Sequence, residues 1–175
     1  QIAWMSEDYD RIWKEIVKSK IQNQYGVLQK LEKNQQVVDS MKTFCQEVES
    51  GDLHNREAHA AKIYFNELMG TTFSRGNEDI LLNAALDYGY SIIRSYIAKL
   101  CVGYGLNCQL GIHHRSEYNR YNLVDDLIEP FRPFVDYYAY ILLGDAKFFT
   151  GEHRHRLINM LNHVCVYNKK NMYLC

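Results

Sequence analysis

Apolar residues recur along most of this chain at the three-to-four-residue spacing of a helix face. From Asp8 to about Lys33 the stripe is Ile12, Trp13, Ile16, Val17, Ile21, Leu28 and Leu31, with Gly26 placed to bend or break it. A second stripe starts near Gln35 and carries Val37, Val38, Met41, Phe44, Cys45 and Val48 before Gly51-Asp52 closes it. A third runs from Asn55, a candidate N-cap, through Ala58, Ala61, Tyr64, Phe65 and Leu68 to Gly70, a candidate stop. On that face Glu57 points toward packing rather than clearly into solvent. The fourth and longest helix is expected from Asn77 to about Val102, with Glu78 and Asp79 adding favourable charge at its start.

After Gly103-Tyr-Gly105, a linker leads to a fifth helix near Asn122, another cap candidate. Pro130 and Pro133 each remove a helical hydrogen bond, so a kink or break is expected around Phe131-Arg132. Helix resumes from Val135 to Leu143 and from about Glu152 to Val166. The fold class expected is all-α, one multi-helix domain over residues 1–175.

Composition narrows this picture. The 175 residues are 47% apolar and 23% charged, which suffices for one domain with a full core. No apolar run reaches the roughly 18 residues that a membrane span needs. No basic-then-apolar leader opens the chain, and Gln1 stands first; the expectation is a piece of a longer protein. Five scattered cysteines without a CxxC pair suggest reduced thiols in a cytosolic protein. The net charge of −1 lacks the basic balance of a dedicated DNA-binding domain, although a metal at a carboxylate site reverses the local sign. No phosphate-binding, dinucleotide-binding or nucleophile-elbow motif occurs.

The candidate chemistry lies in Gly111-Ile-His-His-Arg-Ser-Glu-Tyr-Asn, in Asp126-Leu-Ile-Glu-Pro-Phe-Arg-Pro, and upstream at Glu57. One imidazole with two carboxylates, as in His114, Glu57 and Glu129, is an oxygen-rich donor set that suits Mg²⁺ or Mn²⁺ better than structural zinc. Asp125, Asp126 and Glu129 crowd together, which calls for a nearby cation, either a metal or an arginine. The residues alone leave other readings open. Glu57 also reads as a solvated glutamate at a helix start, and His113-His114 as surface or cap histidines.

Taken in order, several blocks resemble the catalytic C-terminal domain of the CRISPR-associated integrase. They are Lys20-Ile-Gln-Asn-Gln, Glu57-Ala-His-Ala-Ala-Lys-Ile-Tyr-Phe, Asn83 through Leu86-Asp-Tyr-Gly-Tyr, Gly111-Ile-His-His, and Asp126-Leu-Ile-Glu-Pro-Phe-Arg-Pro. The match covers roughly residues 13 to 136, and the wording of the last two blocks looks most like members from type II systems. The resemblance implies a metal-dependent DNA endonuclease and integrase that inserts spacers by transesterification. It assigns Glu57, His114 and Glu129 as ligands of Mg²⁺ or Mn²⁺. Asp126 aligns with an auxiliary carboxylate, and His113 is the ligand if the loop register slips by one.

Arg115, Arg120 and Arg132 are candidates for DNA phosphate contacts, with salt bridges to Asp125 or Asp126 as the equal alternative. The implied partners are DNA (prespacer and CRISPR repeat), the second, smaller CRISPR adaptation protein, and a second copy in a homodimer. A prokaryotic cytoplasmic location, away from any membrane, goes with them. The family's N-terminal β domain is not in this sequence. Two rival readings remain: a helical DNA- or protein-binding module whose acidic cluster is structural, and an unrelated metal phosphohydrolase acting on small phosphoesters.

Overall fold

The computed structural model describes residues 1, 3–77, 81–144 and 146–162, together with the backbone of 164–167 and 170–173. Among the described residues seven α-helices make the body: α1 (Ser6–Lys30), α2 (Gln35–Gln46), α3 (Arg56–Met69), α4 (Leu81–Gly103), α5 (Asn122–Leu127), α6 (Arg132–Leu143) and α7 (Gly151–Asn159). The helical reading holds for this body. After α7 and a 3-10 turn, two short antiparallel strands follow, β1 (Val164–Tyr167) and β2 (Lys170–Tyr173). This corrects the expected helix from Glu152 to Val166, which stops at Asn159.

α1 is the spine, about 37 Å long at a helical rise of about 1.5 Å per residue. It packs against α2, α3 and α6 and against the 3-10 turn between α5 and α6, so residues distant in sequence meet along it. Gly26 stays inside the helix without breaking it. The buried stripe is Trp13, Ile16, Val17, Lys20, Ile21, Gln24 and Leu28, an apolar seam with two polar residues set into it.

α3 begins one residue after Asn55, but the Asn55 side chain makes no cap bond. The Asp52 carboxylate caps instead, accepting from the backbone N–H of Arg56 (2.9 Å) and of Glu57 (3.0 Å). Ala60, Tyr64 and Leu68 form the buried face of α3, and Ala58 is exposed, contrary to the expected stripe. Likewise Asn122 is not a cap. Its buried amide donates to the carbonyls of Gln109 (3.1 Å) and Ser116 (2.8 Å), tying the linker to α5. The start of α4 expected at Glu78 and Asp79 lies outside the described residues.

α4 packs on α6 and α7. Gly89 makes the α4–α6 approach possible, since a Cβ there would lie 2.4 Å from Val135 Cγ1. The expected proline break is present: α5 ends at Leu127, a 3-10 turn spans Glu129–Phe131, and α6 starts at Arg132 with Pro133 in its first turn. Glu129 is thereby placed on a turn that faces α1 rather than in mid-helix.

Candidate metal centre

Lys20 on α1 joins two of the three predicted ligands. Its ammonium donates to Glu57 Oε1 and to Glu129 Oε2, the latter at 2.5 Å. Arg132 Nε donates to the other oxygen of Glu129 at 2.8 Å. Glu129 is 7% exposed and Lys20 is equally buried. Burial pushes the Glu129 carboxyl up, but the charges of Lys20 and Arg132 outweigh it and leave the group below its ordinary value. Burial pulls the Lys20 ammonium down, and the two glutamates more than reverse that. The charged form of both residues is therefore the stable one.

The histidine side is organised differently. Asp126, fully buried, accepts the backbone N–H groups of Ile112 (2.5 Å), His113 (3.0 Å) and His114 (3.1 Å). The same carboxylate bonds His114 Nδ1 at 2.6 Å. Gly111 lets the loop wrap this tightly, because a Cβ there would lie 2.1 Å from the His114 carbonyl oxygen. With Nδ1 held by Asp126, the unused ring nitrogen of His114 is Nε2, on a side chain 45% exposed. The Asp126 bond raises the His114 pKa against a smaller opposing effect of burial, with help from the charges of Glu129 and Asp125. His113 lies flat on Trp13, ring centroids 4.2 Å apart and planes 6° from parallel.

The three crowded carboxylates thus diverge. Asp125 pairs with Arg94 (Nε to Oδ1, 2.5 Å) and Asn119 (2.7 Å), Asp126 takes the loop amides, and Glu129 turns to Lys20 and Arg132. Of the arginine candidates, Arg132 bonds Glu129 and lies over the Tyr90 ring at 4.7 Å. Arg115 is exposed and lies 5.9 Å from the Tyr9 ring centre, and Arg120 is exposed. The alternative that pairs these arginines with Asp125 or Asp126 is not what the structure holds, since Arg94 takes Asp125. Beside His114 opens a cleft of about 580 Å³, lined by Tyr9, Gly111, Arg115, Glu117 and Asn119 among others.

Glu57 and Glu129 are thus brought together, while His114 stands on the Asp126 side. Among the described residues no three His, Cys, Asp or Glu side chains stand close enough as they are to hold a metal ion. The chemistry of the set still fits Mg²⁺ or Mn²⁺: a largely buried carboxylate pair that requires a cation, and an imidazole whose rear nitrogen is fixed by a carboxylate. Lys20 and Asp126 are the two organising residues whose roles the motifs did not give. For Lys20 the available signal was a cation falling on the apolar stripe of α1.

The sequence pattern of the CRISPR associated protein Cas1 family matches residues 2–156. The chain belongs to the Cas1 family. It is 44% identical over 126 residues to the CRISPR-associated endonuclease Cas1 of Neisseria meningitidis, covering 72% of this chain and 41% of that relative. The chain therefore spans less than half the length of that Cas1 protein. Its fold matches a Cas1 protein from Thermotoga maritima with a TM-score of 0.78 at 18% identity, over 97% of this chain and 61% of the other. A casposase bound to its integration product matches with a TM-score of 0.76 at 22% identity, over 97% and 57%. Among the described residues no helix is long and apolar enough to cross a membrane.

Proposed function

We propose that this Cas1-family chain is the catalytic part of a metal-dependent DNA endonuclease and integrase that inserts new spacers into a CRISPR array. The observation that carries the reading is the convergence of Glu57 and Glu129, 72 positions apart, on the buried Lys20 ammonium, with the charge of Glu129 also acting on the carboxylate-anchored His114. Glu57, Glu129 and His114 through Nε2 are the residues that would hold Mg²⁺ or Mn²⁺. Such a cation, when bound, supplies stabilisation of the charge that develops on the phosphoryl oxygens.

In the reaction the 3′-hydroxyl of a prespacer gives up its proton as its oxygen forms a bond to phosphorus in the repeat. The bond from that phosphorus to its 3′-oxygen breaks, and the departing oxygen takes up a proton. One phosphodiester replaces another, with no redox change. Within this reading Asp126 keeps the imidazole aimed, Arg132 steadies Glu129, and the exposed Arg115 and Arg120 are the residues that would meet phosphates. DNA, the smaller adaptation protein and a second copy of the chain are the partners, in a prokaryotic cytoplasm.

A specific observation favours a rival. Lys20 and Arg132 already neutralise Glu57 and Glu129, as a structural acidic cluster in a binding module would require. Strand transfer separates the two. A labelled prespacer, a repeat-bearing plasmid and the adaptation partner are incubated with Mn²⁺ or EDTA. Joining that needs Mn²⁺ and is lost in His114→Ala and Glu129→Gln, but survives in His113→Ala, supports the integrase. Loss in His113→Ala alone moves the ligand register by one residue. Metal-independent DNA binding, with Glu129→Gln behaving as wild type, supports the binding module.

A further inference from the structure

Lys20 sits where lysine is seldom found. It shares the buried stripe of α1 with Trp13, Ile16, Val17 and Leu28, its side chain is 9% exposed, and its ammonium lies between the Glu57 and Glu129 carboxylates. With Arg132 on the far oxygen of Glu129, the group of two carboxylates and two cations is electrically neutral. A divalent cation on the same carboxylate oxygens would meet the Lys20 charge at contact distance, and like charges that close in a dry site repel strongly. Lysine and metal therefore exclude one another from this position.

The displaced side chain has a place to go. A cavity of about 190 Å³ adjoins the bridge and is lined by Lys20, Gln24, Glu129 and Asp136, with Arg75 and Arg132 also in its wall. Gln24 is one helical turn from Lys20 on the same face and is 1% exposed; its Oε1 has no hydrogen-bond partner. A buried acceptor left without a donor is costly, and an ammonium would satisfy it. Asp136, fully buried in the same cavity wall, already lies within the field of the Lys20 charge.

We propose that Lys20 is a displaceable internal cation: it bridges Glu57 and Glu129, gives up that position to a divalent metal, and swings to Gln24 Oε1 and Asp136. The inference rests on the metal reading above. The bridge keeps two like charges side by side and so preserves the shape of the site, and metal binding becomes an exchange of cations rather than a capture by bare carboxylates. Lysine suits the task better than arginine, because its charge is compact and its four-carbon stem is flexible.

Mn²⁺ titration of the purified protein, followed calorimetrically and by electron paramagnetic resonance, tests the exchange. It is paired with thermal melts in EDTA and in Mn²⁺. Lys20→Met removes the competitor, so Mn²⁺ affinity is expected to rise at least about tenfold. Its melt in EDTA is expected to fall by roughly 5 °C or more and to recover with Mn²⁺. Gln24→Met removes the receiving acceptor and should weaken Mn²⁺ binding about threefold or more without lowering the EDTA melt.

If wild type binds Mn²⁺ and Lys20→Met binds it no tighter, the exchange is overturned while the metal reading stands. If neither binds Mn²⁺, both are overturned. Should Lys20→Met fail to fold, Lys20→Arg decides. A guanidinium gripping both carboxylates should weaken Mn²⁺ binding, and unchanged or tighter binding overturns the proposal.

Discussion

Two carboxylate systems lie in this site and are stabilised by opposite means. Asp126 is satisfied by three backbone N–H groups and an imidazole of one loop, so its amide partners cannot leave unless the loop itself unfolds. Glu57 and Glu129 are satisfied by the ends of long side chains, Lys20 and Arg132, which leave by rotating single bonds. Amide dipoles make a permanent fixture, and a flexible ammonium makes an exchangeable one. A site that positions a histidine and also admits a cation benefits from having one of each.

The comparison breaks most clearly at Asp126. Asp126→Ala leaves three loop amides and the His114 ring without their acceptor, the Ile112 amide in a buried position and the others part-buried. The expected loss of stability is about 4 kcal/mol, read from urea denaturation. The loop should lose its order with it, seen as averaged His113 and His114 ring signals by NMR. A loss below about 1 kcal/mol would mean that water replaces the carboxylate and that the loop is not built on it.

The lysine side is sharpened by pH, because its cavity contains a carboxyl under strain of a different kind. Burial raises Asp136 to about 6 from an ordinary 3.8, against the lowering effect of the Tyr90 hydroxyl bond and of Lys20 and Arg132. Tyr90 OH donates directly to Asp136; the buried Tyr64 OH has no partner in hydrogen-bond geometry, although the Asp136 charge acts on it. The folded state thus holds this proton more tightly than the unfolded chain does. Its stabilising contribution is fully present below the unfolded value and is lost as pH rises through about 6. At about 1.4 kcal/mol per unit, the swing is about 3 kcal/mol. Urea midpoints across this range should fall more steeply for wild type than for Asp136→Asn. Parallel pH profiles for the two proteins would remove Asp136 as the cause.

Much of this architecture was legible in the sequence, and the reasons are local. The α1 and α2 stripes follow from helical periodicity, and the break before α6 follows from two prolines. What was not legible depends on tertiary contact. The Asn55 cap position was visible, but Asp52 does the capping because Gly51 and Asp52, both at positive φ, fold that carboxylate back over the start of α3. Glu152 to Val166 read as one helix, yet backbone pairing turns Val164–Tyr167 into a strand. At the site, the motifs named Glu57, His114 and Glu129, but not that Asp126 belongs to the histidine or that Lys20 belongs to the glutamates. Both pairings are made by the chain's return on itself, across 12 residues for the first and 109 for the second.

The smallest effect concerns the neighbouring histidine and tests the asymmetry within the loop. His113 and His114 are adjacent, yet only His114 reaches Asp126 through its ring, while His113 lies parallel on the indole of Trp13, a residue of the α1 core that is 5% exposed. The stack anchors the loop to α1. His113→Ala should therefore cost about 1 kcal/mol, the usual worth of an aromatic pair, while leaving the Asp126 bonds in place. In equilibrium denaturation this is a modest shift in midpoint with an unchanged slope, and strand transfer should persist. His113→Phe, which keeps a ring on Trp13 and has no ligating nitrogen, should restore the lost stability. If His113→Phe is as active and as stable as wild type, the role of His113 is packing and the ligating ring is His114; if it folds normally but loses activity, the imidazole that matters is the one on Trp13.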